Sequence, residues 1–237
     1  MNAAVIVAGG VGERFGDSRG KQLAPVAGLP VLAHTLRAFQ RCDAVDAIVL
    51  VTHPDRVAAY RAEAVEPAGA DKVIAVVPGG ATRRASVAAG LAALPEECTA
   101  VAVHDGARAA VTAQTIASGF AALQADPTLD GVVVGYRALD TIKEADAEGR
   151  ILSTPDRTRL WVAQTPQTFR FRSLVRAHQR AADEGFEATD DAALVERFGG
   201  TVAMLEGPRW NIKVTYPEDL VVLAALLKER GEATGDV

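Results

Sequence analysis

Residues 4 to 23, AVIVAGGVGERFGDSRGKQL, set five glycines, two arginines and a lysine directly behind an apolar run. Glycine lets the backbone come close to an anion, and successive N–H groups supply donors for phosphate oxygens. The backbone at 9 to 13 can therefore wrap a polyphosphate that Arg14 and Lys21 neutralise. A surface loop with casual charges is the competing reading. Two common nucleotide motifs do not fit. For the dinucleotide fingerprint, Gly10 and Gly12 stand in place but Gly16 comes one residue late, and Thr52 and His53, not an acid, follow the next apolar run. For a P-loop, Gln22 follows Gly20-Lys21 where Ser or Thr is needed, and Phe15 occupies the leading glycine position.

Asp105 follows the apolar AVAVH, where a carboxylate can engage magnesium, meet a substrate hydroxyl or simply cap a turn. Lys213 stands between Ile212 and Val214, so on an extended segment it faces away from both. Arg157, in PDRTR, reads either as a substrate contact or as a surface ion pair.

The elements that must position these groups alternate. Short β-rich runs at 3–8, 45–51, 72–77, 99–103 and 131–135 are separated by helical patterns at 30–41, 54–66, 82–94 and 112–125. This β-α repetition predicts an α/β fold: a predominantly parallel sheet between two layers of helices, with ligands beyond the carboxyl ends of the strands. After residue 136 the pattern breaks into extended segments around a turn at EADAEGR, which predicts a protruding β-arm over about 137–160. Helices resume at 171–184 and 190–198, a strand follows at 201–205, and YPEDLVVLAALLKER forms a last helix with Pro217 in its first turn. Neither repeats nor a linker divide the chain, so residues 1–230 are expected to form one domain and 231–237 a flexible tail.

Composition narrows the function classes. The 237 residues carry 25 basic and 30 acidic side chains, a net charge of -5, and offer no general attraction to nucleic acid or an anionic membrane. Cys42 and Cys98 are far apart and the four histidines are scattered, which suits a reduced protein without a structural zinc site. The apolar start is short and runs into glycines and charge, unlike a signal peptide, and a cytoplasmic location is expected.

Seven segments in order, AGGVGERFG…KQ, GGATRRASV, HDGARAAV, DTIK, PDRTRLWVAQTPQTF, ATDDA and NIKVTYPEDL, make the chain resemble the 2-C-methyl-D-erythritol 4-phosphate cytidylyltransferases of the non-mevalonate isoprenoid pathway. The resemblance covers residues 3 to about 227 and implies a Rossmann-like nucleotidyltransferase fold, CTP as a substrate and magnesium as cofactor. It gives Arg14, Lys21, Arg157 and Lys213 to the triphosphate, the incoming phosphate and the transition state. The cytidine side falls to Ala8, Gly9, Gly80, Ala81, Ser86 and Gly106, with Gly10, Val11 and Gly12 completing the phosphate loop. Asp105, Arg108, Thr141 and Thr189 fall to the polyol substrate, with Asp105 also the candidate metal ligand. Ala81 replaces a common acid, which shifts base recognition towards backbone atoms. Gly9 is a variant shared with related enzymes of pentitol phosphates, so ribitol 5-phosphate is the alternative acceptor; a nonenzymatic nucleotide sensor is the alternative of another class. The resemblance further implies a homodimer whose arms embrace, bringing Thr141 to the neighbour's site and placing Arg157.

Overall fold

Strict alternation of side chains along the strands sets the layers. The computed structural model describes residues 1–10, 15 and 20–232. In chain order the strands are β1 (Asn2–Val7), a small hairpin of β2 (Pro25–Val26) and β3 (Leu29–Pro30), β4 (Ala47–Thr52), β5 (Val73–Pro78), β6 (Ala100–Asp105), β7 (Gly131–Arg137), the arm strands β8 (Glu144–Ala145) and β9 (Ile151–Ser153), β10 (Trp161–Arg170) and β11 (Val202–Glu206). The helices are α1 (Val31–Gln40), α2 (Val57–Tyr60), α3 (Glu66–Ala68), α4 (Arg83–Ala92), α5 (Ala113–Ala125), α6 (Phe171–Asp183), α7 (Asp191–Arg197) and α8 (Asp219–Glu229).

The main sheet runs β11-β7-β10-β6-β1-β4-β5. Only β10 is antiparallel to its neighbours, β6 and β7. Successive residues of a strand point to opposite faces. Ala4, Ile6, Ile48 and Leu50 therefore meet Leu32, Leu36 and Phe39 of α1 and Ile116 of α5, while Val5, Val49, Val51 and Val103 meet Val87 of α4, Leu174 of α6 and Leu194 of α7. This is the expected three-layer α/β/α arrangement around a mostly parallel mixed sheet.

Three expectations need correction. The helical stretch after β4 is not one regular helix: it opens with a 3-10 turn at Pro54–Arg56 and has a π-helical turn, Arg61–Val65, between α2 and α3. Pro217 precedes α8 instead of sitting in its first turn. The segment around Lys213, read as extended with Ile212 and Val214 facing away from the lysine, forms no strand: residues 211–215 are irregular. Val214 is nevertheless wholly buried and Lys213 exposed, so the expected opposition of those neighbours holds without a strand.

The arm is a short hairpin in which Asp146 Oδ1 accepts the N–H groups of Glu148 and Arg150 and Gly149 takes a φ of +79° that disfavours a side chain. Both arm strands are exposed along their whole length. Among the described residues, no helix is long and apolar enough to cross a membrane.

Phe39 is fully buried, with its ring centroid 5.0 Å from that of His104. Phe39→Ala is expected to cost about 3–5 kcal/mol of unfolding free energy through lost burial and the cavity left behind. Urea unfolding measures this, and a loss below about 1 kcal/mol would contradict the core described here.

Candidate active site

The carboxyl ends of four adjacent parallel strands form one row. In register, Val7 of β1 lies beside Val51 of β4 and Asp105 of β6, and Thr52 lies beside Pro78 of β5. The row continues past the strands: Ala8 N–H donates to Val51 O, Gly79 N–H to Thr52 O and Gly106 N–H to Val7 O. A cleft of about 570 Å³ opens above it, lined by Gly9, Gly10, Lys21, Gly80, Ala81, Arg83, Ser86, Asp105 and Lys213 together with their neighbours.

One wall is the turn from β5 into α4. The Thr82 hydroxyl caps α4 by accepting from Ala85 N–H, and the Ser86 hydroxyl accepts from Gly80 N–H and donates to Thr82 O. A Cβ on Gly80 would lie 2.5 Å from the Cβ of Ala85, so this tight turn excludes a side chain. The helix thereby presents its amino terminus, which favours anions, to the cleft.

The opposite wall begins at Gly9 and Gly10, just past the buried Ala8. Tyr60 OH donates to Ala8 O at 3.1 Å, and burial pushes that phenol up to about 12, which keeps its donor proton on. Gln22 Nε2 donates to Gly10 O at 3.1 Å, fixing the start of the glycine loop from the far side. Val11, Gly12 and Arg14 lie outside the described residues.

Asp105 is the electrostatic centre. Lys213 Nζ lies 2.9 Å from its Oδ2, Arg108 Nε 3.7 Å from the same oxygen, and Arg83 Nε 3.8 Å from Oδ1. Burial alone would raise the Asp105 carboxyl, but the charges of Lys213 and Arg83 outweigh it and hold it at about 2. The Asp105 backbone is pinned as well, its N–H donating to Thr165 Oγ1 at 3.1 Å. That hydroxyl lies 3.0 Å from His104 Nδ1, while His104 Nε2 faces Arg108 O. Thr165 donating to Nδ1 and a neutral Nε2–H donating to Arg108 O satisfy every partner, in line with burial driving His104 down to about 3.

Lys213 owes its place to Asn211, whose side-chain Nδ2 donates to Thr165 O at 2.8 Å and whose backbone carbonyl accepts from Arg108 Nη1 and Gln164 Nε2. Val214 N–H then donates to Ala107 O, completing the clasp around the lysine.

The structure thus brings together Gly9, Gly10, Lys21, Gly80, Ala81, Ser86, Asp105 and Lys213. Ala8 and Gly106 lie beneath the cleft: Ala8 is buried, and a Cβ on Gly106 would come within 2.9 Å of Leu32. Arg108 sits behind Asp105 as part of its charge cage. Arg157, Thr141 and Thr189 do not line the cleft. Arg157 is exposed on the arm, where Nη1 donates to Leu139 O, Thr141 is exposed at the arm's base, and Thr189 is exposed just ahead of Asp190, the N-cap of α7. Reading the sequence missed Arg83, although it lies within GGATRRASV, because an arginine opening a helix resembles a solvated charge. It also missed Thr165 and Asn211, buried polar residues whose partners are remote in sequence.

The family model described as 2-C-methyl-D-erythritol 4-phosphate cytidylyltransferase matches residues 2–229. The chain is 40% identical over 227 residues to the protein of that name from Caldanaerobacter subterraneus, covering 96% of this chain and 99% of the relative. It is 45% identical to a bifunctional enzyme, IspD/IspF, of Desulforudis audaxviator, covering 94% of this chain but only 56% of that longer relative. Among crystal structures, it resembles the 4-diphosphocytidyl-2C-methyl-D-erythritol synthase of Anaerococcus prevotii with a TM-score of 0.82 at 27% identity, covering 96% of both chains. The 2-C-methyl-D-erythritol 4-phosphate cytidylyltransferase of Thermus thermophilus matches with a TM-score of 0.76 at 32% identity, covering 96% of this chain and all of that one.

His104 supplies a pH test. Its pKa is about 3 in the fold against 6.5 for a free histidine, so the unfolded chain takes up the proton first. Its contribution to stability is complete above pH 6.5 and is lost as pH falls towards 3, at up to about 1.4 kcal/mol per pH unit. His104→Gln is expected to flatten that decline in urea unfolding at pH 7 and pH 4.5. Parallel profiles for the two proteins would contradict the buried neutral imidazole.

Proposed function

Since the chain belongs to the 2-C-methyl-D-erythritol 4-phosphate cytidylyltransferase family, we propose that it joins CTP to 2-C-methyl-D-erythritol 4-phosphate, giving 4-diphosphocytidyl-2-C-methyl-D-erythritol and pyrophosphate. The observation that carries this reading is the ionised Asp105 with Lys213 at 2.9 Å, placed at the common carboxyl end of the parallel strands and facing a helix amino terminus. That arrangement suits one polyanion meeting another.

An oxygen of the acceptor's phosphate attacks the α-phosphorus of CTP, and the bond to the bridging oxygen of the β-phosphate breaks, its electron pair leaving with pyrophosphate. The acceptor phosphate is already a nucleophile, so the reaction needs alignment and charge stabilisation more than a base. Lys21, lining the cleft, is assigned to the triphosphate, joined through the family resemblance by Arg14 and by the backbone of Gly9, Gly10, Val11 and Gly12. Lys213 is anchored through its backbone yet half-exposed at its side chain, which suits a cation meeting phosphates as charge develops. Cytosine differs from uracil in its N4 donor and N3 acceptor, groups that backbone atoms at Gly80 and Ala81 can read; Ser86 shapes that turn.

Magnesium binds hard oxygen donors, commonly one or two carboxylates together with substrate phosphates. Asp105 fits, because its carboxyl stays ionised and it lines the cleft. Asp105 would hold the ion, which would neutralise triphosphate charge when bound with CTP. Asp105 and Arg108 are also assigned to the acceptor's side, together with Thr189.

The arm points to a second copy of the chain. Ile142 is 41% exposed, Ile151 63% and Leu152 64%, and a lone two-stranded hairpin is marginal in water. A twofold homodimer that covers these residues would deliver Thr141 and Arg157 to the partner's cleft, which neither reaches within its own chain. Buried Cys42 and Cys98, both free thiols, suit a reducing compartment such as the cytoplasm.

Pyrophosphate release with 2-C-methyl-D-erythritol 4-phosphate is expected from CTP and magnesium, at least about 100-fold faster than from UTP, while excess chelator abolishes it. Equal turnover of UTP would defeat the cytidine assignment. Lys213→Ala should lower kcat about 100-fold or more, and an unchanged kcat would remove Lys213 from the chemistry. Light scattering coupled to size exclusion should find a dimer at micromolar concentration, and Ile151→Ser with Leu152→Ser should lose both dimer and activity. A fully active monomer would overturn the role of the arm.

A further inference from the structure

We propose that Arg83 is a positioning residue for the transfer reaction: it ties the cleft-facing Asp105 to a buried Asp191–His178 pair and so holds the carboxylate in its working orientation. This rests on the cytidylyl-transfer reading above and concerns Arg83, Asp191 and His178, to which that reading gives no part.

Arg83 is the first residue of α4, where the helix dipole disfavours a cation. Two carboxylates offset that cost. Nη1 donates to Asp191 Oδ2, 2.6 Å away, and Nε lies 3.8 Å from Asp105 Oδ1. Burial acts against the Arg83 charge, but Asp191 and Asp105 reverse its effect and hold the guanidinium above its ordinary value. Asp191 is completely buried, and its second oxygen lies 3.0 Å from Nε2 of the buried His178. Asp105, Arg83 and Asp191 thus make one line of charge from the cleft into the helical layer, and a hydrogen bond to His178 continues it. The line draws on β6, α4, α7 and α6 in turn.

Its inner end is fixed to the sheet. Gln167 of β10 donates through Nε2 to Asp190 Oδ2 and accepts Ala192 N–H at Oε1, so both neighbours of Asp191 are held. A guanidinium is a planar fork that serves two acceptors at once, whereas an ammonium is a point charge on a flexible stem. Burying such ions gains little stability over apolar packing of similar volume. The arrangement has a better use at Asp105. Arg83 faces Oδ1 while Lys213 and Arg108 face Oδ2, so cations draw the carboxylate from both sides and oppose its turning wholly onto the lysine.

The test is a double-mutant cycle in pyrophosphate release, with melting temperature and dimer content measured beside it. Arg83→Lys keeps the charge but loses the fork; Asp191→Asn keeps the arginine but loosens its anchor. Each should lower kcat about tenfold while the KM for CTP stays within about threefold, and the double variant should be no more than about twofold worse than the poorer single. A purely stabilising role would lower the melting temperature and leave kcat of the folded protein unchanged, which overturns the proposal. Effects that multiply in the double variant also overturn it, because they would make Arg83 act independently of Asp191. If Asp191→Asn does not fold, Arg83→Lys decides alone: a tenfold loss in kcat at unchanged KM for CTP supports positioning, and full kcat overturns it. An inactive wild-type chain would instead refute cytidylyl transfer itself, and this inference with it.

Discussion

The Asp105 carboxylate, ionised among Lys213, Arg83 and Arg108, is the constraint on which the rest of the site depends. A buried charge is tolerated only when paired, and with Asp191 also held on Arg83, three cations against two carboxylates leave one positive charge in excess at the cleft. That surplus is what a triphosphate and a phosphomonoester require. Each cation reaches Asp105 from a different part of the chain, so the cage forms only once the sheet, α4 and the segment after β11 are assembled.

The sheet places the cage at its change of direction. β6 has parallel β1 on one side and antiparallel β10 on the other, and β10 shifts register against β7 between Ala163 and Gln167. This irregular stretch supplies Gln164 and Thr165 as buried polar anchors, and Gln167, where regular pairing resumes, is a third. Gln164 and Thr165 hold Asn211 and thereby Lys213, Thr165 also holds Asp105 and His104, and Gln167 holds the start of α7. The departure from regular pairing thus orients the cleft, while the regular strands beside it supply the core.

Most of the architecture was legible in the sequence because strands buried on both faces of one sheet leave short continuous apolar runs between helical patterns. Runs such as AAVIVA and AIVLVT are apolar on both faces, as parallel strands between helices must be. The ten-residue antiparallel β10 was less legible: WVAQTPQTFR mixes amides, threonines and a proline, and its pairing with β6 and β7 is set by tertiary contacts. At the site, Asp105, Lys21 and Lys213 were legible through residue type, position after apolar runs and family resemblance. Arg83 was not, since nothing local in TRRAS distinguishes a buried fork from a solvated helix start, and its partner Asp191 lies 108 positions away. Arg157, Thr141 and Thr189 were assigned by resemblance alone, and the single chain keeps them away from the cleft.

The most direct test of this account is the titration of the Asp105 side-chain carboxyl carbon by nuclear magnetic resonance in the folded protein, assigned with Asp105→Asn. The three-cation cage predicts a midpoint at about 2, well below the ordinary 3.8 of an aspartate. A midpoint at or above 3.8 would mean that burial outweighs the cations, contradicting the charged centre around which the site is built.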